Sequence, residues 1–180
     1  MHVLVTRRLT LRPPALPDAE EIALNLSNWS VARMLSRVPF PYFVEDAEDW
    51  IAGLAERPAD LVYTIHRERL IGVAAIHFDG DEPRLGYWLG ERWHGRGFMT
   101  EALTALLSYA FETRRMPAIA STVFNENPAS LRVQEKLGFV VTGGGVEWSR
   151  SRREAVPVRQ TRLTACAFAA ATGADARSAA

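Results

Sequence analysis

The run LIGVAAIHF, Leu70 to Phe78, is apolar at nearly every position. A strand this uniformly apolar has no face suited to water and belongs at the centre of a sheet. It follows LVYTIHR across the tight turn Glu68–Arg69, so the two form a hairpin. A third strand, RLGYWLG, comes after the loop DGDEP, and AIASTVF reads as another buried strand. Between these two, Ala102, Leu103, Leu106, Leu107 and Ala110 recur at helical spacing, predicting a helix to about Arg114 before Pro117 stops it. Strands mixed with amphipathic helices in this order make an α/β sheet of the α+β type, layered with helices rather than doubly wound.

The rest of the chain completes that plan. Leu9 to Arg12 alternates and then meets Pro13 and Pro14, predicting a first strand. Asp18 followed by Glu21 resembles a capping box, with Ile22, Ala23 and Leu26 at helical spacing behind it. A second helix is expected from Asp46 to Glu56. The stretch between them is bulky and irregular, and Trp29, Met34, Phe40, Tyr42 and Phe43 either seat the helices on the sheet or wall a substrate pocket. Pro128 opens a helix through Lys136, which Gly138 closes. FVVTGGGVEW and VPVRQTRLTACAF are read as two last strands, giving a mixed, mostly antiparallel sheet of about seven strands flanked by helices. Residues 1–168 form one domain, and 169–180 are an Ala-rich, frayed tail.

Composition excludes several classes of partner. Twenty-one basic residues balance 21 acidic ones, so no global field draws the chain directly to nucleic acid or to a membrane surface. All the basic residues but Lys136 are Arg, a bias that weakens any reading from Arg alone. Arg150, Arg152 and Arg153 therefore read as a solvated hairpin tip, or else as a patch for an acidic protein or ribosomal RNA. Cys166 is the single cysteine and fits a buried small hydrophobe, and the four His show no ligand spacing, so no disulfide and no metal are expected. The opening MHVLVTRRLTLR is too short in apolar residues for a signal peptide, which points to a soluble cytoplasmic protein.

The chemically informative segment is RWHGRGFMT, Arg92 to Thr100. Arg92, Gly95 and Gly97 stand between a strand and a helix beginning near Met99, where glycines let the backbone turn closely around a ligand. Unpaired N–H groups at the helix start lie at the positive end of the helix dipole and suit a diphosphate. Neither GxxxxGK[ST] nor GxGxxG occurs, which removes the nucleotide-hydrolysing loop and the dinucleotide fingerprint.

With RWHGRG in the place of [Q/R]xxGx[G/A], the chain resembles the GNAT acetyltransferase superfamily, and its RimJ/RimL-like branch in particular. That branch, typified by ribosomal-protein N-terminal acetyltransferases, shares TRRLTLRP, GYWL, WHGRGFMTEA and NPASLRVQEKLGF in this order, over roughly residues 6 to 165. The resemblance implies a sheet splayed between the GYWL and STVFN strands, with acetyl-CoA in the gap. Trp88 and Leu89 would then pair with the pantetheine amides through their backbone. Arg92 and the segment Gly95, Arg96, Gly97, Phe98, Met99 and Thr100 would hold the diphosphate, and Asn125, Asn127 and Ser130 would line the other side.

The implied reaction is acetyl transfer to an amine by direct attack, which needs a neutral amine and a proton for the departing thiolate. Where many members carry a Tyr just before EKLGF, this chain has Gln134, so Ser130, the Ser of NxxS, is the expected donor. Glu147, eight residues past Phe139, is the expected base, with Glu82 as fallback and His77 or His94 as relays. An α-amine of pKa about 8 is roughly a tenth neutral at pH 7, against about one lysine in a few thousand. A protein or peptide N-terminus therefore fits best, with a small amine (polyamine, amino acid or antibiotic) as the alternative. A non-catalytic acyl-CoA-binding module is the third reading, and the apolar final strand is compatible with a homodimer.

Overall fold

In the computed structural model, which describes residues 2–173, the hairpin at Glu68 is the middle of an eight-stranded sheet. β3 (Leu61–Arg67) and β4 (Arg69–His77) pair antiparallel, and Glu68 turns between them at φ 64°. β4 is buried from Leu70 to Ile76, as its apolar run requires. Outward from β3 lie β2 (Thr10–Arg12) and β1 (Leu4–Val5). On the other side come β5 (Arg84–Leu89), β6 (Ala118–Phe124), β8 (Glu154–Thr164) and β7 (Val140–Ser149). The strand beyond the expected seven is β1, whose two residues are too few for alternation to register. β8, the last strand, is flanked on both sides, so the edges of the sheet are β1 and β7 rather than the final strand.

Every pairing is antiparallel except β5 with β6. That parallel contact is confined to Arg84↔Ala120 and Leu85↔Ser121, after which the two strands diverge. A crevice therefore opens at their carboxyl ends, the place where open sheets of this kind receive ligands.

Helices cover both faces. One face carries α4 (Phe98–Ser108), α5 (Pro128–Lys136) and α6 (Ala165–Thr172). Leu103, Leu106 and Leu107 of α4 are fully buried, each worth about 1.5–3 kcal/mol relative to exposure. The opposite face carries α1 (Ala19–Leu26), α2 (Trp29–Ala32) and α3 (Val44–Gly53), with Ile22, Leu26 and Val31 packed over Leu70. Among the described residues no helix is long and apolar enough to cross a membrane.

Several local expectations are corrected. Asp18 and Glu21 do not form a capping box: Asp18 accepts from Ala15 N–H at 2.9 Å and from the Arg12 guanidinium at 2.6 and 2.8 Å. Glu21 instead takes the Leu70 N–H at 2.7 Å. The second helix starts at Val44, since Asp46 reaches back to the Phe43 N–H, and its end to Glu56 is a 3-10 turn. α4 gives way to a wider π turn at Tyr109–Thr113. The stretch ACAF is helical, because the Thr164 hydroxyl caps Ala167 N–H and Phe168 packs on Phe111. This helix carries Ala169–Thr172 as well, leaves Cys166 exposed rather than buried, and the tail from 174 on lies outside the described residues.

Candidate active site

The loop from Gly90 to Gly97 joins the end of β5 to the start of α4 at the mouth of the crevice. Gly95 and Gly97 both have positive φ, 74° and 76°, which explains why glycine stands at each. Gly97 precedes α4 directly, and Glu101 N–H closes the first helical hydrogen bond onto the Gly97 carbonyl at 3.1 Å. The N–H groups of the first turn stay unpaired and face the loop, a ready site for a diphosphate. His94 fixes the loop from within, its Nε2 lying 2.8 Å from the Leu89 carbonyl.

The amino-terminal motif braces this loop from outside. Arg8 donates from Nε to Glu101 at 2.6 Å and from its guanidinium to the Arg96 carbonyl at 3.2 Å, with the cation 4.5 Å from the Phe98 ring centre. Thr6 adds its hydroxyl to Glu101 at 2.6 Å, and Arg8 N–H adds a contact at 2.9 Å. Partial burial pushes the Glu101 carboxyl up, but Thr6 and Arg8 outweigh it and hold the group below its ordinary value. Thr6, Arg8 and Glu101 were legible as motif letters, and only the fold reveals that they form one buttress.

Alternation along β5 sends Leu85, Tyr87 and Leu89 toward α4 and α5, and Arg84 and Trp88 toward the other face. On the α5 side the Tyr87 hydroxyl lies 2.8 Å from Ser130 Oγ and 3.2 Å from the Ser130 carbonyl. Asn127 caps α5 through the Ser130 N–H at 3.0 Å, which fixes where that hydroxyl stands. Burial pushes the Tyr87 phenol up to about 12, against the opposing effects of Ser130 and Gln134. Gln134, 1% exposed, donates to Ser121 Oγ at 2.9 Å and accepts from Thr161 at 2.6 Å.

On the other face a polar row crosses the sheet. Arg84 of β5 and Thr122 of β6 both donate to one oxygen of Glu147 on β7, at 2.8 and 2.9 Å. His77 is the cross-strand neighbour of Arg84, and its Nδ1 meets the buried Asp60 at 2.7 Å. Glu82, the fallback base, instead pairs with Arg162 at 2.8 Å away from the crevice lining.

These groups line one continuous cleft of about 1310 Å³. It brings together Trp88, Leu89, Gly95, Gly97, Phe98, Met99, Thr100, Asn127, Ser130 and Glu147, as well as His77 and His94. Arg92, Arg96 and Asn125 lie outside its lining: Arg96 stacks over Trp93 at 5.7 Å, Arg92 borders a separate small depression, and Asn125 N–H is taken by the Pro157 carbonyl. Of the irregular aromatic stretch, Met34 and Tyr42 line the cleft, whereas Trp29 stacks on Phe40 outside it. Arg150 and Arg153 of the basic hairpin tip are exposed, as a solvated tip requires, while Ser151 and Ser149 dock the tip by donating to the carbonyls of Ala32 and Leu35 at 3.0 and 3.3 Å. It thereby roofs the cleft on the Glu147 side. Tyr87, Arg84 and Thr122 were missed by sequence reasoning; the period of two along RLGYWL was the available signal for Tyr87. Among the described residues no three His, Cys, Asp or Glu side chains group to hold a metal ion.

Comparison with known proteins gives the family: the acetyltransferase (GNAT) domain model matches residues 8–140. The chain belongs to the GNAT acetyltransferase family. It is an N-acetyltransferase that uses acetyl-CoA. Among curated relatives, the uncharacterized N-acetyltransferase p20 of Bacillus licheniformis is 30% identical over 154 residues, covering 79% of this chain and 85% of the relative. The ribosomal-protein-serine acetyltransferase of Escherichia coli K12 is 31% identical over 116 residues, 58% of this chain and 64% of the relative. A crystal structure of a T. thermophilus protein described as an acetyltransferase superposes with a TM-score of 0.82 at 22% identity, over 98% of this chain and 97% of that one. A relative named for ribosomal-protein acetylation is thus among the proteins to which this GNAT chain is similar.

Proposed function

We propose that this acetyltransferase acts on the N-terminal α-amine of a protein or peptide, with Glu147 and Ser130 on opposite sides of the reacting thioester. The observation that carries this reading is the placement of those two groups on the two faces of the splayed sheet, in one cleft. Acetyl-CoA would enter between β5 and β6, its diphosphate on the Gly95–Thr100 turn and its pantetheine arm along Trp88 and Leu89. Arg84 and Thr122 occupy one Glu147 oxygen and leave the other free to take the proton of the incoming ammonium. The neutral amine attacks the thioester carbonyl, and Ser130 supplies the proton that the sulfur takes as the C–S bond breaks. An α-amine asks less of Glu147 than lysine does, because a larger share of it is already neutral at pH 7. The relative named for ribosomal-protein serine acetylation supports the same class of acceptor.

A second reading has its own observation. Asp46 and Asp49 of α3 also line the cleft, and the docked hairpin tip narrows the acceptor side, an arrangement that suits a small cationic amine. Thiol release from acetyl-CoA, measured with a peptide beginning in serine alongside polyamines, amino acids and amino sugars, separates the two. Stimulation by the peptide, lost in Ser130→Ala and Glu147→Gln, is expected. Stimulation by small amines alone would overturn the N-terminal assignment.

A further inference from the structure

Tyr87 is a phenol inside the cleft that none of the roles above employs. Its hydroxyl has two oxygens of Ser130 within reach, the side-chain oxygen at 2.8 Å and the carbonyl at 3.2 Å. In the 2.8 Å contact either oxygen can be the donor, and the relay uses the arrangement in which the phenol donates to Ser130 Oγ. Ser130 then has its own hydrogen free for the cleft, where the thioester sulfur must lie if Ser130 serves the thiol.

We propose that Tyr87 is a positioning residue and the proton source behind Ser130, the two hydroxyls forming a relay to the departing sulfur. The inference rests on the assignment of Ser130 to the thiol. As the amine nitrogen bonds to the carbonyl carbon, the C–S bond breaks and its electron pair goes to sulfur. Sulfur takes the Ser130 hydrogen while Ser130 takes that of Tyr87. The phenolate regains a proton from solvent, equivalent to the one the amine has given up, so that amine and thioester become amide and thiol with no other reactant. An aliphatic hydroxyl is a weaker acid than a phenol, so Ser130 alone would have to carry a charge that Tyr87 can bear more readily. Burial raises the phenol only to about 12, which keeps that difference.

The test is Tyr87→Phe in the full-length protein, assayed by thiol release from acetyl-CoA with hydroxylamine as acceptor. Hydroxylamine is small and neutral at pH 7, so it bypasses both the acceptor site and the base. The expected result is a fall in kcat on the order of 10²-fold, at unchanged KM for acetyl-CoA and unchanged affinity for CoA. Plotted against the fraction of D₂O, kcat should be curved for the wild type, with two protons in flight, and straight for Tyr87→Phe. Ser130→Ala and the double variant should agree within about threefold, since both lose the same relay. A Tyr87→Phe enzyme within about threefold of wild type while Ser130→Ala is impaired would overturn the relay and leave the Ser130 assignment standing. Loss of CoA binding in Tyr87→Phe would overturn it too, by making the phenol a packing element. No stimulation of thiol release by hydroxylamine in the wild type would overturn it as well, whatever the peptide panel shows.

Discussion

Glu101 gathers the loop buttress at a single carboxylate, so Glu101→Gln is the perturbation that probes it best. Glutamine keeps one carbonyl oxygen for Thr6 and the Arg8 N–H, but it turns an N–H₂ group toward Arg8 Nε, now 2.6 Å from the second oxygen. The loss is one charge-assisted hydrogen bond, worth about 1.5–3 kcal/mol. Arg8 is 32% exposed and can rehydrate, which argues for the lower end, about 2 kcal/mol. For a chain of this length that corresponds to a fall in Tm of about 4–8 °C. The Arg8 contact to the Arg96 carbonyl goes slack at the same time, so CoA should bind several-fold more weakly by calorimetry as the competent loop population falls. Because the folded Glu101 carboxyl is held below its ordinary value near 4.5, its stabilisation is complete above that value and is lost as pH falls through the folded one. The gap between wild type and variant, measured by denaturant unfolding, should therefore be full at pH 7 and close as the pH is lowered into the acid range. A Tm within about 1 °C of wild type at pH 7, or a gap that widens in acid, would refute the buttress.

Two more substitutions test other parts of the structure. Gly97→Ala meets no crowding, its nearest neighbour being Arg8 Nη2 at 3.5 Å, so its expected cost of about 1–2 kcal/mol comes from the positive φ alone. It should weaken CoA binding with little change in kcat, and a variant as stable as wild type in urea would disprove the strain. Asp18→Ala removes a carboxylate that is 4% exposed, leaving the Ala15 N–H unpaired and the Arg12 guanidinium with only the Pro13 carbonyl, at a cost of about 3 kcal/mol. Asp18 lies outside the cleft lining, so turnover per folded molecule should match wild type, and a selective loss of kcat would contradict the placement.

What could be read before the fold was known was whatever local chemistry dictates. The central β4, the glycines of the turn before α4, and Pro128 and Gly138 at the ends of α5 all follow from side-chain pattern and φ preference. What escaped were contacts set by register and by chain crossings. Glu21 looked like a partner for Asp18 three residues away, yet it pairs with Leu70 across the α1–sheet interface. Arg84 and Thr122 converge on Glu147 only because β7 lies outside β8, an order no linear pattern announces. ACAF continued an alternating strand until the Thr164 cap turned it into helix, a choice that Phe168 settles by packing against Phe111.

The brevity of the β5–β6 contact has a mechanical consequence. The sheet is two plates, β1–β5 and β6–β8–β7, stitched along one short seam, and a cosubstrate lying in the opening would act as a ninth strand that completes the ladder. Occupancy would then clamp the plates together, and backbone amides beyond Leu85 and Ser121 would exchange with solvent more slowly while it is bound. Release of product CoA would reopen the seam, so exchange of the cosubstrate and the sheet's own cohesion would be coupled through the same two residue pairs.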